Sequence, residues 1–537
     1  VLNLGNVYLQ VALNRWNARF YNALQAYDQA AFIDAILSFA LLVGLFIVVA
    51  GTMIYMQMLL KIRWRHWLTE WFVGRWLDDQ THYRLDLIVA GADNPDQRIS
   101  EDIRLFIDHT LDLSLGLLVA ATTLVSFVVI LWNLSGTLAL TIAGAGIEVP
   151  GYLVGLALFY ALAGTGLTAA IGKPLVAVEF LQQRFEADFR FTMMRLREHG
   201  ESIAFYRGED REKQSFSRRF ALLIKNYRQM MRLDMLLAFF QAGYNVSSLV
   251  FAIVAAAPRY FARKILIGEL MQIANAYSQV HGSLSYIINS FTRIAEWRAV
   301  TQRLTELADH LARARRLGPG PCHQTGPGPD FSVSDLTVTL PDSRILIQRL
   351  NVSVGAADRL LVTGASGCGK STLLRCLAGI WPFGQGQVDR PRGARMLFVP
   401  QRAYFPLDSL RAAIVYPATS GTGPNTGTLA AILADCGLDH LQGRLDEVAD
   451  WSRVLSGGEQ QRLAFARVLV QTPDFIFLDE ATAALDMDNE NRLYDLLARR
   501  LSEAAVISVG HRPSLRRFHR RELRFLPGGA WELAPID

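Results

Sequence analysis

Nine consecutive residues, Gly364-Ala365-Ser366-Gly367-Cys368-Gly369-Lys370-Ser371-Thr372, put glycines, one ammonium and hydroxyls at the spacing G-x-x-x-x-G-K-[ST]. That set suits phosphate. Glycines let backbone N–H groups curl around an anion, Lys370 neutralises the β and γ groups of a nucleotide, and the Ser371 hydroxyl ligates Mg²⁺. A plain glycine-rich turn with a surface lysine is the bland alternative. Context weighs against it, because the apolar run Leu360-Leu361-Val362 leads in and the helical LLRCLAGI leads out.

Further along, the apolar run Phe475-Ile476-Phe477-Leu478 ends in Asp479-Glu480. A strand that delivers an acidic pair at its C-terminal edge can hold Mg²⁺ through Asp479 and polarise an attacking water through Glu480. Alone such a run is a weak signal; after a phosphate loop it is a strong one. Gln401 follows LFVP and His511 follows AVISVG, so both stand where neighbouring strands end. Gln401 could sense Mg²⁺ and water, and His511 could contact the γ-phosphate. A second cradle is LSGGEQQR, Leu455 to Arg462, where Ser456, Gly457, Gly458 and Glu459 open a helix. Free N–H groups and the positive end of a helix dipole make such a start an anion site.

These residues need a scaffold that brings strand ends together. From 331 to 537, short apolar runs at 360–363, 395–399, 474–478 and 505–509 alternate with helical patterns, as in a mainly parallel sheet. Before it, LGPGPCHQTGPGP places glycine or proline at nearly every other position, so 317–330 is expected to form neither helix nor strand and to link two domains.

The first 316 residues differ in kind. Mean hydropathy over the chain is +0.20, and five apolar stretches, near 35–60, 111–132, 151–171, 235–257 and 271–292, are long enough to cross a bilayer. With 1–13 as the exit half of a clipped first helix, six membrane helices are expected. The 173–233 loop carries thirteen Lys/Arg against eight Asp/Glu, whereas 133–150 carries no base and one Glu. By the positive-inside rule 61–110, 173–234 and everything after 293 are cytosolic, and the net charge of +5 therefore speaks for a membrane and not for nucleic acid. Both long loops are expected to be membrane helices continuing into the cytosol. In the sixth stretch Asn275, Gln279 and Ser283, with Tyr277, His281 and Ser285, form a polar stripe expected to face the bundle interior or a watery cavity. The four cysteines lack metal-ligand spacing, which fits a reduced compartment.

Phosphate loop, Gln401, LSGGEQQR, FIFLDE, the ALD at 484–486 and His511 occur in the order that resembles the ATP-binding cassette of ABC transporters. DNPDQRISEDI (Asp93 to Ile103), ESIAFYRG (Glu201 to Gly208), RWRHWLTEWFVGRW and LAGIWPFGQG look like motifs of peroxisomal (subfamily D) transporters and their bacterial SbmA/BacA-like relatives. The resemblance implies a fold and a partner. An exporter-type, domain-swapped six-helix transmembrane domain (1–316) would precede a linker (317–330) and an α/β P-loop cassette (331–537). The signature segment would close over ATP held by a second copy, with the Ser456 hydroxyl and Gly458 N–H near its γ-phosphate and Asp486 coupling the two sites. ATP and Mg²⁺ are the implied cofactors, and a homodimer in the bacterial inner membrane, cassette in the cytoplasm, the implied assembly. Leu340 stands where many cassettes stack an aromatic ring on adenine, so GTP is expected to be hydrolysed nearly as well as ATP. Cargo is expected to be bulky and hydrophilic or amphipathic, such as peptides or cobalamin, with import favoured; export or import of fatty acids, acyl-CoA or lipids and an ATP-gated, non-pumping protein are the alternatives.

Overall fold

The computed structural model describes residues 1–88, 94–142, 145–318, 320–326, 328–418 and 423–536. Asp93, Pro319 and Pro327, which belong to the loop motif and the linker singled out above, lie outside the described residues. The chain divides into two units, 1–72 with 95–306, and 73–94 with 307–537.

The first unit is helical: α1 (Leu2–Gln25), α2 (Gln29–Leu77, running on into the second unit), α4 (Pro95–Gln97), α5 (Ile103–Ser135), α6 (Tyr152–Glu198), α7 (Gly200–Tyr206), α8 (Glu209–Phe261), α9 (Ile267–Asn289) and the start of α10 (Phe291–Arg316); α3 (Thr81–Ile88) belongs to the second unit. The helices carrying α2, α5, α6 and α8 are long and apolar enough to cross a membrane. Helices α1 and α9, expected as the first and last of six spans, fall below that measure, because their amides and hydroxyls dilute the apolar residues. They pack with the others instead, around a core that includes Phe127, Leu131, Leu153, Ala252, Ile273 and Tyr277. Side chains of α1 cap α9: Asn22 Oδ1 accepts from the Gly268 N–H and Gln25 Oε1 from the Ile267 N–H, both at 2.9 Å. Two of the donors orphaned at the start of α9 are thereby satisfied. Gly268 is required there, since a Cβ would come 2.1 Å from the Ala18 carbonyl oxygen.

The 173–234 segment is almost wholly helix. Helices α6 and α8 run through it, and only α7 and its flanking turns reverse the chain. A π-helical turn, Arg98–Asp102, starts α5, and its Asp102 takes a two-pronged bond from Arg303 of α10, at 2.6 and 2.8 Å. The 133–150 segment holds an antiparallel hairpin, β1 (Thr137–Ile142) and β2 (Ala145–Pro150), which periodicity did not suggest.

The second unit is α/β. Its strands are β3 (Cys322–Gly326), β4 (Phe331–Thr339), β5 (Ile345–Val354), β6 (Arg359–Gly364), β7 (Gly384–Pro391), β8 (Met396–Val399), β9 (Asp408–Ser409), β10 (Val448–Ala449), β11 (Phe475–Asp479), β12 (Ala505–Val509), β13 (Arg521–Phe525) and β14 (Trp531–Pro535). Its helices beyond α10 are α11 (Lys370–Ala378), α12 (Leu410–Val415), α13 (Thr426–Asp435), α14 (Trp451–Val454), α15 (Gly457–Gln471) and α16 (Met487–Arg500). The main sheet runs β14-β13-β6-β12-β11-β8, parallel except for β14. Strands β3-β7-β4-β5 form a second sheet. Strand β3 corrects the expectation of an unstructured linker: Cys322–Gly326 pairs in parallel with β7. The prolines stand outside those five residues, so every N–H within them remains free to pair.

Two apolar cores divide the labour. Leu360, Val362, Leu373, Leu374, Phe475 and Phe477 pack beneath the phosphate loop, with Phe398 and Phe477 stacked at 4.2 Å. Leu410, Leu429, Trp451, Leu463, Phe465 and Leu493 form the other, which carries α15. Full burial of a side chain such as Phe477 stabilises by about 1.5–3 kcal/mol.

Candidate functional site

Parallel pairing of β6, β12, β11 and β8 puts four strand ends on one edge, where ligands of open α/β sheets bind. From those ends issue, respectively, the phosphate loop, His511, Asp479-Glu480 and Gln401.

The loop has the backbone that the glycine spacing requires. Gly369 caps α11 at φ 104°, and Gly364 sits at φ 147°, where a Cβ would come 2.9 Å from Cys368 Sγ. Ala365, Ser366 and Gly367 complete the turn, and Thr372 falls in the first turn of α11. Lys370 is buried, 6 % exposed, and its Nζ donates to the carbonyls of Gly364 and Ala365 at 2.9 Å each. No carboxylate among the described residues lies within ion-pair distance of it. A buried ammonium held by two carbonyls, with the Cys368 thiol near and no carboxylate paired to it, is chemically matched at a helix N-terminus to a bound phosphate.

Ser371 Oγ donates to Asp479 Oδ1 at 2.9 Å, which joins two oxygens of the kind a hard cation takes. Burial pushes the Asp479 carboxyl above its ordinary value, against the opposing hydrogen bond from Ser371. Mg²⁺ there would be held by these two residues, with Gln401 near, and would neutralise charge on transferring phosphate oxygens.

Glu480 adopts the left-handed φ of 46°, a conformation that costs a non-glycine residue about 1 kcal/mol or more and that clusters at functional sites. Its N–H donates to the Val509 carbonyl at 3.1 Å, tying it to β12. One carboxylate oxygen accepts from Gln401 Nε2 at 2.9 Å; the other lies 3.3 Å from His511 Nε2. The four sequence-selected groups Gln401, Asp479, Glu480 and His511 therefore converge on the strand edge that bears the loop.

The signature segment lies elsewhere. Ser456 caps α15 in a capping box: its hydroxyl and N–H both donate to Glu459 Oε2, at 2.7 and 2.9 Å, and Glu459 in turn contacts His440 Nε2 at 2.9 Å. Gly457 and Gly458 face Ala484 and Leu485 of their own chain, at 3.5–3.6 Å from where a Cβ would stand. Helix α15 packs on α12, α13 and α16, and α11 on β4, β6 and β11. Among the described residues no hydrogen bond joins 455–459 to 364–372. Asp486 caps α16, accepting from the N–H and Nδ2 of Asn489 at 2.7 and 2.9 Å.

Leu340 closes the turn between β4 and β5, its N–H donating to the Arg344 carbonyl at 2.9 Å. Sequence reasoning passed over Leu346, one residue into β5, which packs against Gly369. It also passed over Gln461, whose Oε1 accepts from the Ala484 N–H at 2.9 Å. Gln461 is 9 % exposed, and a buried amide next to an anion cradle was its only signal.

Residues 1–261 match the family model for ABC transporter transmembrane region 2, and 347–483 the family model for ABC transporter. The inner membrane ABC transporter ATP-binding protein YddA of Escherichia coli is 32% identical over 95% of this chain and 90% of its own. The lysosomal cobalamin transporter ABCD4 of Mus musculus is 31% identical over 89% and 82%. A bacterial Atm1-family ABC exporter, solved with ATP bound, superposes with a TM-score of 0.71 at 18% identity, over 98% of this chain and 92% of that one, and so shares the fold. Loop, acidic strand end and helical membrane unit thus sit in one polypeptide, an integral membrane protein with an ATP-binding domain, and the chain belongs to the ABC transporter family.

Proposed function

We propose that the chain is a half-transporter that works as a homodimer in the bacterial inner membrane, with cassettes in the cytoplasm, and couples ATP hydrolysis to uptake of bulky hydrophilic cargo such as peptides or cobalamin. One observation carries the dimer: the anion cradle at Ser456–Gly458 stands on a different core from the phosphate loop, with no bond to it. A helix start built for an anion then takes its anion from a second copy. Lys370 and the loop N–H groups hold the phosphates, and Ser371, Asp479 and Gln401 hold Mg²⁺. Glu480 draws a proton from the attacking water, and His511 steadies Glu480 and the γ-phosphate. Glu459 positions Ser456 for the partner's nucleotide. Closure of two such sites moves the long cytosolic extensions of α6 and α8, which are swapped onto the partner, and switches the side to which the membrane cavity opens.

The polar cargo rests on a cleft of about 470 Å³ between α1, α2, α5 and α9. Asn3, Asn6, Gln10, Gln57, Gln279 and Ser283 share its lining with Asp112 and with the apolar Met53, Leu115, Val119 and Ala120. Asn6 Oδ1 and, in the same cleft, Thr123 Oγ1 are buried without a hydrogen-bond partner. The amides and hydroxyls of this mixed lining are costly against lipid and can hydrogen-bond a solute. The stripe in α9 divides: Gln279 and Ser283 face the cleft, whereas Tyr277 and His281 pack on Tyr160. The deciding experiment compares ATP-dependent uptake of labelled peptide, cobalamin and acyl-CoA in vesicles of defined orientation. Accumulation of acyl-CoA alone would overturn the cargo class, and ATP turnover without uphill flux of any solute would overturn pumping.

A further inference from the structure

Among the described residues, the deepest carboxylate in the second unit belongs to Glu490, on α16, at 0 % exposure. It is not among the residues assigned above to the phosphate loop, the acidic strand end or the signature cradle. Its oxygens accept from three side chains on two other segments: Thr482 Oγ1 at 2.7 Å, Ser514 Oγ at 2.5 Å and Arg512 Nη1 at 3.4 Å. Arg512 is itself a fork. Its Nη1 donates to the Leu485 carbonyl at 2.7 Å and its Nη2 to the Ala483 carbonyl at 3.0 Å.

The sequence positions of these partners give the cluster its meaning. Thr482 follows Glu480 by two residues; Ala483 and Leu485 belong to the turn against which Gly457 and Gly458 pack; Arg512 follows His511 directly. One buried anion therefore ties together the segment after the general base, the turn beneath the signature cradle and the segment after the histidine. Stability alone is a poor account of it, since replacing a buried ion pair by apolar groups is often neutral or stabilising. A fixed relation among three functional segments is a better one.

We propose that Glu490 is a positioning residue for ATP hydrolysis, which through Arg512 locks the Glu480–His511 pair to the 483–485 turn so that the general base and the signature cradle of one chain move as a unit. This rests on the hydrolytic reading of the site given above. The charge is essential to the role: a carboxylate holds the guanidinium fork, whereas a carboxamide in its place would turn an N–H toward it. Arg512 Nη1 and Thr482 Oγ1 share Oε2, so the Thr482 hydroxyl would there accept from the amide, while Ser514, on Oε1, still donates to the carboxamide oxygen.

The test uses the full-length detergent-solubilised protein and the variants Glu490→Gln, Arg512→Lys and the double variant. Lysine keeps the charge but cannot reach two carbonyls and a carboxylate at once. Each single variant is expected to lose about tenfold in kcat, with ATP affinity measured by binding within about twofold of wild type, and the double variant to be no slower than either. The Hill coefficient for ATP is expected to drop toward one in all three. A kcat within twofold of wild type in Glu490→Gln, or losses that multiply to about a hundredfold in the double variant, would overturn the role. Loss of ATP binding in step with kcat and a lowered Tm would overturn it too, because the cluster would then be structural only. Absence of ATP turnover in the wild-type protein sinks the hydrolytic reading itself, and the role with it.

Discussion

Gln401 Nε2 donates to Glu480 Oε2 at 2.9 Å, a bond that bridges the ends of two adjacent parallel strands, β8 and β11. The other oxygen of Glu480 is left to His511, at 3.3 Å. A carboxylate held on both sides is aimed, and its strained backbone keeps it so. Replacing Glu480 with Gln removes the base and leaves the shape. Turnover is expected to fall by about 10²-fold or more while ATP affinity stays within about twofold. Parallel ATPase and nucleotide-binding measurements check this; hydrolysis near the wild-type rate would refute the general-base assignment.

Cys368 lies in the phosphate loop, its Sγ 3.9 Å from Lys370 Nζ and partly exposed. Burial pushes the thiols of Cys376 and Cys436 up to about 12, so neither is a nucleophile at neutral pH. Of the three cysteines whose side chains are described, Cys368 is thus the reactive one. A maleimide is expected to inhibit ATPase activity, saturating ATP to protect, and Cys368→Ser to be resistant. Mass spectrometry of the labelled peptide reads the site; labelling at Cys376 or Cys436 with ATP present contradicts the reading.

How much of this was legible in the residues varies with the range of the interactions. The strand ends carrying Lys370, Asp479, Glu480, Gln401 and His511 could be read because each motif is local and parallel pairing forces the ends together. Strand β3 could not be read: glycine and proline dominate its surroundings, and its pairing with β7 is settled by a distant edge. Helices α1 and α9 showed a similar limit, since their amide-rich sequences are explained by contacts to each other, such as Asn22 to Gly268. The Glu490 cluster was invisible for the same reason. Nothing local distinguishes that glutamate from a solvated one on an amphipathic helix.

Asp479 gives a pH prediction. Burial raises its carboxyl above the ordinary 3.8, so the native state takes up its proton at a higher pH than the unfolded chain does. The contribution to stability is present at low pH and is lost as pH rises through the raised value. In the metal-free protein Asp479→Asn is therefore expected to raise Tm at neutral pH. Mg²⁺ needs the ionised form, so wild-type Mg²⁺ affinity is expected to fall on acidification starting above the usual aspartate range. Calorimetry of both variants against pH tests the pair; an unchanged Tm in Asp479→Asn counts against the burial argument.

Leu340, at the position where the family resemblance places the adenine-stacking ring, and Leu346, beside Gly369, are aliphatic and lack hydrogen-bonding groups. Discrimination between purines requires polar contacts to the base edge or selective stacking. GTP and ATP are expected to be hydrolysed with kcat/KM values within about tenfold of each other, with Leu340→Tyr shifting the balance toward ATP. A hundredfold ATP preference in the wild type contradicts the expectation.

The division between phosphate loop and signature cradle yields the sharpest test. Lys370→Ala disables the loop and spares the cradle; Ser456→Arg blocks the cradle and spares the loop. Each variant alone is expected to be inactive, because in a symmetric dimer both sites contain the same lesion. Co-assembled, the two lesions fall together in one site of a mixed dimer, and the other site is whole. With random assembly half the dimers are mixed and one site in two is intact, so about a quarter of wild-type ATPase activity is expected to return if the sites act independently. A chain that completed its own site would show no recovery, since every copy would then carry its lesion internally. Co-expression with two affinity tags and tandem purification isolates the mixed dimer, in which about half of the wild-type rate per dimer should be seen.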